Sequence, residues 1–316
     1  SEMCIRDSYK IGSIQARLGC GILGDDDIFG GKFMFWILLI LIVALAIYFY
    51  YQNRFIQVNK YKMTIANLPS QLRGKKIVQL SDIHFRDNMN NGYVKSILKK
   101  VASQDPDLIV LTGDTLHASL EFLEETPVED FLLDLNDIAP TYLVTGNHDI
   151  SNPNFDEFSA LISQTGCELL IDDAVYAHFK DSQPQEDLVL MGFAERGDME
   201  NAPDPILNNI DLEAGMESKP KILLAHHPEF FEAYLADPNK APDLTFAGHS
   251  HGGQVILPYL GGLFNKSQGF FPHYDYGIFI GQDQPTKRMI VNRGLGNSGF
   301  PMRFNNRCEI ITLTLN

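Results

Sequence analysis

Leu244-Thr-Phe-Ala-Gly-His-Ser-His-Gly-Gly253 is an apolar, strand-like run that stops at two histidines spaced i, i+2 and bordered by glycines. In an extended segment alternate residues point to one side, so His249 and His251 are expected to aim their imidazoles at one point. The glycines leave room for something bound close to the backbone. A histidine pair on one strand face is, taken alone, as readily a polar rim as a site. Four further apolar runs end in Asp, Asn or His: Lys76-Ile-Val-Gln-Leu-Ser-Asp-Ile-His84, Leu108-Ile-Val-Leu-Thr-Gly-Asp114, Tyr142-Leu-Val-Thr-Gly-Asn-His-Asp149 and Lys221-Ile-Leu-Leu-Ala-His-His227. Short apolar runs alternating with helical patterns indicate an α/β fold with buried strands, and such sheets place their sites beyond the carboxyl ends of the strands. Five strand ends would then meet at one crevice.

Between these runs lie the expected helices. Val94, Ile97, Leu98 and Val101 recur at helical spacing before Asp105-Pro106, Val128, Phe131, Leu132 and Leu135 do so before Pro140, and a third helix spans Phe155 to Ser163 with Gly166 as its stop. Those apolar stripes are packing. Residues 55–65 alternate in part and suggest an entering strand pair. From Leu169 the strands shorten, and Val175–Phe179 and Leu188–Phe193 flank the polar Asp181-Ser-Gln-Pro-Gln-Glu-Asp187 as a hairpin leading into a second, more antiparallel sheet. The last strands expected are Gly277–Ile280, Arg288–Asn292 and Glu309–Leu315.

A chain of 316 residues with 45% hydrophobic and 21% charged residues fits one large α/β domain plus an N-terminal segment. A net charge of -15 argues against nucleic-acid binding, which needs clustered Lys and Arg. It leaves a phosphate-bearing substrate open, because bound ions outweigh surface charge screened over ~8 Å. Cys4, Cys20, Cys167 and Cys308 show no C-x-x-C spacing, so no disulfide framework is expected.

The N-terminal segment reads in two parts. Residues 1–32, beginning Ser1-Glu-Met-Cys-Ile-Arg-Asp-Ser8, resemble a translated read-through more than a native start, for which Met34 is the candidate. Residues 33–52 form an anchor, and residues 53–316 the domain that carries the site. Phe33 to Tyr51 is uncharged and apolar, and as a helix it rises ~28 Å against a hydrocarbon core of ~30 Å. Trp36 near one end and Tyr48, Tyr50 and Tyr51 near the other suit the two interfaces. A cleaved signal peptide is the alternative, but no small-residue cleavage site follows. Arg54, Lys60 and Lys62 lie just after the span and favour a cytoplasmic domain, while Arg17 and Lys32 oppose that bias if the first residues are native.

Asp82, His84, Asp114, Asn147, His226, His249 and His251 combine carboxylate oxygen, amide oxygen and imidazole nitrogen. That set suits Mn, Fe, Zn or Co better than Ca, and the lack of thiolate argues against a closed structural zinc site. Seven candidates exceed the needs of one ion. Two ions bridged by one carboxylate fit the number.

Asp82-x-His84, Gly113-Asp114, Gly146-Asn-His-Asp149, His226 and Gly248-His-x-His251, in this order, resemble the calcineurin-like metallophosphoesterase superfamily over residues 55–316. Ala225-His-His-Pro-Glu-Phe-Phe231, Gly248-His-Ser-His-Gly-Gly-Gln254 and Asn292-Arg-Gly-Leu-Gly296 are similar to its membrane-anchored bacterial phosphodiesterase branch, which is related to UDP-diacylglucosamine pyrophosphatases. The resemblance implies a four-layer αββα sandwich of two mixed β-sheets behind one N-terminal transmembrane helix. It implies two divalent cations, manganese first and iron, zinc or cobalt as alternatives. Asp82, His84 and His251 would hold one ion, Asn147, His226 and His249 the other, with Asp114 between them. The implied reaction is hydrolysis of a phosphodiester or pyrophosphate, lipid-linked or nucleotide-linked, by a hydroxide bridging the ions. His148 would stabilise the transition state or protonate the leaving oxygen. Where many relatives place an Asp three residues after the bridging Asp, to orient the catalytic His, this chain has His117, so either Asp149 or another carboxylate is expected to orient His148, or leaving-group protonation is weaker. A phosphomonoesterase or protein phosphatase is the second enzymatic reading, and a membrane-tethered metal-binding scaffold without catalysis the non-enzymatic one.

Gly294-Leu-Gly-Asn-Ser-Gly299 matches G-x-G-x-x-G, but Phe300-Pro-Met-Arg-Phe304 follows instead of a helix, so a turn is expected. From that loop Arg293 and Arg303 are candidates for a substrate phosphate, with ordinary ion pairing as the alternative. Pro258–Tyr276 is rich in Leu, Phe and Gly. It reads as the core of an insertion or, in a tethered chain, as a face toward lipid or an acyl-bearing substrate.

Overall fold

A strand covered on both faces shows no polar alternation, and the runs that end in candidate ligands have that texture. The computed structural model describes residues 25–87, 89–182, 187–196, 202–297 and 299–316, with side chains from residue 32 onward. In chain order its first half runs α1 (Asp25–Arg54), β1 (Gln57–Met63), β2 (Lys76–Leu80), α2 (Asn91–Ala102), β3 (Leu108–Thr112), α3 (Val128–Ile138), β4 (Thr141–Val144), α4 (Asn147–Ile150), α5 (Phe155–Gln164) and β5 (Glu168–Leu169). The second half adds β6 (Asp173–Tyr176), β7 (Val189–Gly192), β8 (Lys221–Leu224), α6 (Phe231–Tyr234), β9 (Leu244–Ala247), the short β10 (Ile256–Leu257), β11 (Gly261–Gly262), β12 (Phe264–Asn265) and β13 (Gly269–Phe270), then β14 (Gly277–Ile280), β15 (Arg288–Val291) and β16 (Glu309–Leu315).

Contacts group the chain into residues 1–48 and residues 49–316. Within α1, Lys32–Arg54 is the one helical segment, among the described residues, that is long and apolar enough to cross a membrane, and its side chains from Phe33 to Ile47 are exposed. The reading of residues 1–32 as an extension falls, as far as residue 24, outside the described residues.

Two six-stranded mixed sheets make up the second unit, in the orders β1-β16-β2-β3-β4-β5 and β14-β15-β9-β8-β7-β6. Alternation along the strands sorts the layers. Val78 and Leu80 of β2 pack with Ile109, Leu111 and the stripes of α2, α3 and α5, whereas Ile77, Leu108 and Val110 face Leu190, Ile222, Leu224, Leu244 and Phe246 of the opposite sheet. The αββα sandwich expected is therefore present, but its fourth layer is thin. Outside the second sheet, among the described residues, the four-residue α6 supplies Phe231 and Tyr234, and irregular chain supplies Ile206, Leu207 and Ile210 as cover.

Two expectations about strands need correction. Residues 55–65 form one strand, not a pair, and the partner of β1 is the C-terminal β16, parallel to it and inserted antiparallel beside β2. Local alternation cannot reveal a partner about 250 residues away. The second sheet is antiparallel only at its edges, β6–β7 and β14–β15, and parallel through β7, β8, β9 and β15.

Candidate metal centre

Three strands of the first sheet and two of the second deliver the candidate ligands from their carboxyl ends: Asp82 and His84 after β2, Asp114 after β3, Asn147 after β4, His226 after β8, and His249 and His251 after β9. The expectation that His249 and His251 continue an extended strand does not hold. Both have left-handed backbones, φ 64° and 46°, as do Asp82, His84 and Asp114 at φ 51°, 53° and 51°. Non-glycine residues adopt this region at a cost of order 1 kcal/mol or more and cluster where a site requires it. The turn separates the two imidazoles. His251 joins Asp82, His84 and Asp114, whereas His249 joins Asp114 and His226, and within each group the ligand-type atoms lie within 4.8 Å of one another.

Asp114 is common to both groups. Its Oδ2 lies 3.6 Å from Nε2 of His84 and 3.4 Å from Nε2 of His226. Nε2 of His251 stands 3.3 Å from Oδ1 of Asp82 and 3.1 Å from Nε2 of His84, and Nδ1 of His249 stands 3.2 Å from Nε2 of His226. Burial dominates the electrostatics. It pushes Asp82 up to about 6, pushes His84 and His249 well below the usual histidine range, and with Arg303 brings His251 down to about 3. Burial also opposes ionisation of Asp114 and His226, but their mutual attraction outweighs it, holding Asp114 low and His226 high.

Imidazoles held neutral present lone pairs. His84 and His251 bring two such nitrogens to 3.1 Å, and Oδ1 of Asn147 is buried without a hydrogen-bond donor among the described residues. Such a set of carboxylate, amide and imidazole donors fits divalent cations that accept mixed oxygen and nitrogen ligation.

Close backbone approach sets the glycines that precede the ligands. A Cβ on Gly248 would fall 1.9 Å from Oγ of Ser81 and 2.6 Å from Oδ2 of Asp82, and one on Gly113, at φ 86°, would fall 2.5 Å from Nδ1 of His226. No helix opens over the described residues Gly294–Asn297 of the glycine motif, and this stretch is pressed on the Asp82 loop through Leu295 N–H to Ser81 O and Gly296 N–H to Asp82 O. Arg303, a candidate for substrate phosphate, is fully buried instead. Its guanidinium donates to the carbonyls of Arg293 and Gly296, and Nη2 lies 3.4 Å from Nδ1 of His251. Arg293 lies over the Tyr276 ring at 4.0 Å and 3.8 Å from Glu309, which matches the ion-pair alternative.

His148 is the second residue of α4, its backbone N–H donating to Oδ1 of Asp114 at 2.8 Å. The expectation that Asp149 orients its ring fails: the Asp149 carboxylate accepts from the Leu116 and Gly146 amides. The Ala118 amide donates to Nδ1 of His148 at 3.2 Å, and Nδ1 of His117 lies 2.8 Å from Oγ of Ser119.

Several participants escaped sequence reasoning. Gln79, the one polar residue inside an otherwise apolar run, donates from β2 to Thr112 and across the sheets to Ala247 O at 2.9 Å, beneath the cluster. Ser81 donates to Oδ2 of Asp82 at 2.5 Å. His227 lies between Glu195 and Glu229, 2.9 Å from each, with its ring 4.1 Å from that of His249. The spacing His227-Pro-Glu229 was visible in the sequence, whereas nothing marked Glu195.

A cleft of about 420 Å³ opens over Asp114, Asn147, His148, His249 and His251, with Phe264, Lys266 and Phe300 on its walls. Phe264, Phe270, Phe271 and Leu260, on the two hairpins β10–β11 and β12–β13 and their connections, are exposed, so these side chains are not a buried core.

Residues 75–253 match the family model described as calcineurin-like phosphoesterase. Among curated proteins, the chain is 27% identical over 270 residues to the uncharacterized metallophosphoesterase YkuE of Bacillus subtilis, covering 84% of this chain and 87% of that one. It is 29% identical to the phosphodiesterase YaeI of Escherichia coli, covering 76% and 82% respectively. It is 28% identical to the UDP-2,3-diacylglucosamine pyrophosphatase LpxG of Chlamydia muridarum, covering 72% and 79%.

Proposed function

The chain belongs to the calcineurin-like phosphoesterase family, and from that premise we propose that it is a dinuclear-metal phosphodiesterase or pyrophosphatase held at a membrane. One observation carries this reading: two ligand groups share the single carboxylate of Asp114. Asp82, His84 and His251 would hold one cation, Asn147, His226 and His249 the other, and manganese is the first candidate for both. Bound there, two divalent cations would polarise phosphoryl oxygens and lower the pKa of water.

The chain's own residues supply the rest. Because Nδ1 of His148 accepts from the Ala118 amide, the neutral ring carries its proton on Nε2. Burial lowers the pKa of this histidine, which keeps the ring neutral. His148 is thus a hydrogen-bond donor to phosphoryl oxygen in the transition state more than a strong acid. Lys266 in the cleft wall adds positive charge for the same oxygens. A diester is favoured over a monoester by the names of two relatives, a phosphodiesterase and a diacylglucosamine pyrophosphatase.

Residues 33–52 act as the anchor and residues 53–316 as the enzyme. Arg54, Lys60 and Lys62 favour the cytoplasmic side. The exposed aromatics of Pro258–Tyr276 suit a second contact with lipid. Chelator-stripped protein reloaded with Mn²⁺ should bind close to two ions per chain and hydrolyse bis-p-nitrophenyl phosphate faster than the monoester. One ion per chain, or turnover of the monoester alone, would reject the reading.

A further inference from the structure

A second cavity, of about 500 Å³, reaches the cluster at His84, the only one of the candidate metal ligands in its lining. Its walls include Arg86, two residues beyond His84, together with Arg54, Asn90 and Asn297. Nη2 of Arg86 donates to Asn297 O at 2.5 Å, and the Arg54 guanidinium lies 5.4 Å from the centre of the Tyr93 ring, so both heads have defined places. The carboxylate in the lining, Asp87, accepts from the backbone amides of Glu121 and Phe122 at 3.1 and 3.0 Å, which directs its charge to that loop. A third cavity, of about 550 Å³, shares Arg54, Asn90 and Tyr93 with the second and continues to Tyr50 and Phe55.

A monoester has a single anionic group, which the cations would take. Two guanidiniums in a cavity that meets the cluster at His84 are surplus to that substrate and suit a second phosphoryl group, for which planar, multidentate donors are well matched. Covalent connectivity then fixes where such a substrate comes from. Arg54 ends α1 three residues after Tyr51, a rise of ~5 Å along a helix, so the cavity wall is built by the residues that first leave the apolar span.

We propose that this cavity is the subsite for the second phosphoryl group of a diphosphate ester held in the bilayer, gripped by Arg86 and Arg54 while the first phosphoryl group lies at the Asp114 cluster. The proposal rests on the phosphodiesterase or pyrophosphatase reading above. It adds a polar subsite next to His84 and a path along Tyr50 and Phe55 for the lipid-bearing arm.

The test uses the full chain in detergent micelles, Mn²⁺-loaded, with three substrates: bis-p-nitrophenyl phosphate, a soluble UDP-sugar, and CDP-diacylglycerol as a bilayer-type diphosphate ester. Arg86→Ala and Arg54→Ala should each raise KM for CDP-diacylglycerol at least tenfold more than KM for bis-p-nitrophenyl phosphate, and Arg86→Lys should recover part of that. Equal changes in KM for the two substrates would overturn the proposal while leaving the diesterase reading intact. A parent KM for the UDP-sugar as low as that for CDP-diacylglycerol would overturn the bilayer part. Should the parent turn over none of the three, the diesterase reading fails by itself. Affinity for CDP-diacylglycerol in surface plasmon resonance then decides: a tenfold loss on Arg86→Ala supports the subsite, and equal affinity removes it.

Discussion

The backbone amide of Ala118 donates to Nδ1 of His148 across 3.2 Å, next to His117, the position at which many relatives carry an aspartate. An amide donor leaves Nδ1 unprotonated and the ring's proton on Nε2, whereas a carboxylate would accept from a protonated Nδ1, and the amide lends no charge to an imidazolium. His148 should therefore work by donating a hydrogen bond to phosphoryl oxygen. His148→Ala is expected to lower kcat by roughly 10²–10³, by a similar factor for p-nitrophenolate and for alkoxide leaving groups, with metal content unchanged. A loss confined to the alkoxide substrate would show that the ring acts instead as a general acid.

Asp114 and Asp82 should differ in what their loss removes. The Asp114 carboxylate stands within 3.6 Å of histidines in both ligand groups, whereas Asp82 belongs to one. Metal analysis of Asp114→Asn should find fewer than one tightly held ion per chain, and of Asp82→Asn about one. Identical stoichiometry for the two variants would contradict a carboxylate common to both groups.

Gly248→Ala tests the close approach of the two sheets at the site. The added Cβ would meet Oγ of Ser81 at 1.9 Å, and Ser81 is buried and hydrogen-bonded to Asp82, so neither partner can swing away freely. Overpacking of this kind costs about 1–3 kcal/mol. A lowered Tm together with weakened metal binding is expected. Unchanged Tm and metal affinity would mean that the loop relaxes without cost.

Much of this arrangement could be read from the chain because the same local pattern occurs five times. An apolar run ending in Gly, Ala or Ser and then Asp, Asn or His identifies both a buried strand and a ligand at its carboxyl end, so Asp82, Asp114, Asn147, His226 and His249 came with their elements. What remained hidden depends on non-local pairing. β16 lies beside β2 although its residues follow almost the whole fold, and Glu195 reaches His227 from a loop with no sequence signal. The extended geometry assigned to His249-Ser-His251 was wrong for a related reason: nothing in an i, i+2 spacing reveals that the backbone turns left-handed to place each ring in a different group. Arg303 was misread because a buried guanidinium serving carbonyls looks, in sequence, like one serving phosphate.

The His227 network predicts a pH dependence of stability. Burial opposes a charged His227, but Glu195 and Glu229 outweigh it and raise its pKa from 6.5 to about 9, while His227 holds Glu229 down to about 2 from 4.5. A raised histidine stabilises the fold fully below its unfolded value of 6.5 and loses that contribution as pH climbs through 9. A depressed carboxylate contributes above 4.5 and loses it as pH falls through 2. In chelator, urea unfolding of the parent should weaken relative to His227→Gln by up to about 3 kcal/mol as pH rises across the histidine's window. A pH-independent difference between the two proteins would remove the charged pair from the account.

The exposed hairpins give the final test. Phe270 is 72% and Phe271 52% exposed, a large apolar commitment for side chains facing water, and Phe264 continues from the same hairpin into the wall of the cleft. Isolated exposed apolar groups need no explanation, but a cluster at the mouth of a site in a chain with its own membrane-length helix does. If these rings steer acyl chains, Phe270→Ser with Phe271→Ser should reduce kcat/KM on CDP-diacylglycerol by tenfold or more and leave bis-p-nitrophenyl phosphate hydrolysis within about twofold, because neither ring lines the cleft itself. Parent and variant both keep the membrane-length helix, so the change would read substrate capture and not attachment. Parallel loss on both substrates would instead assign the rings to holding the hairpins, and with them Lys266, in place.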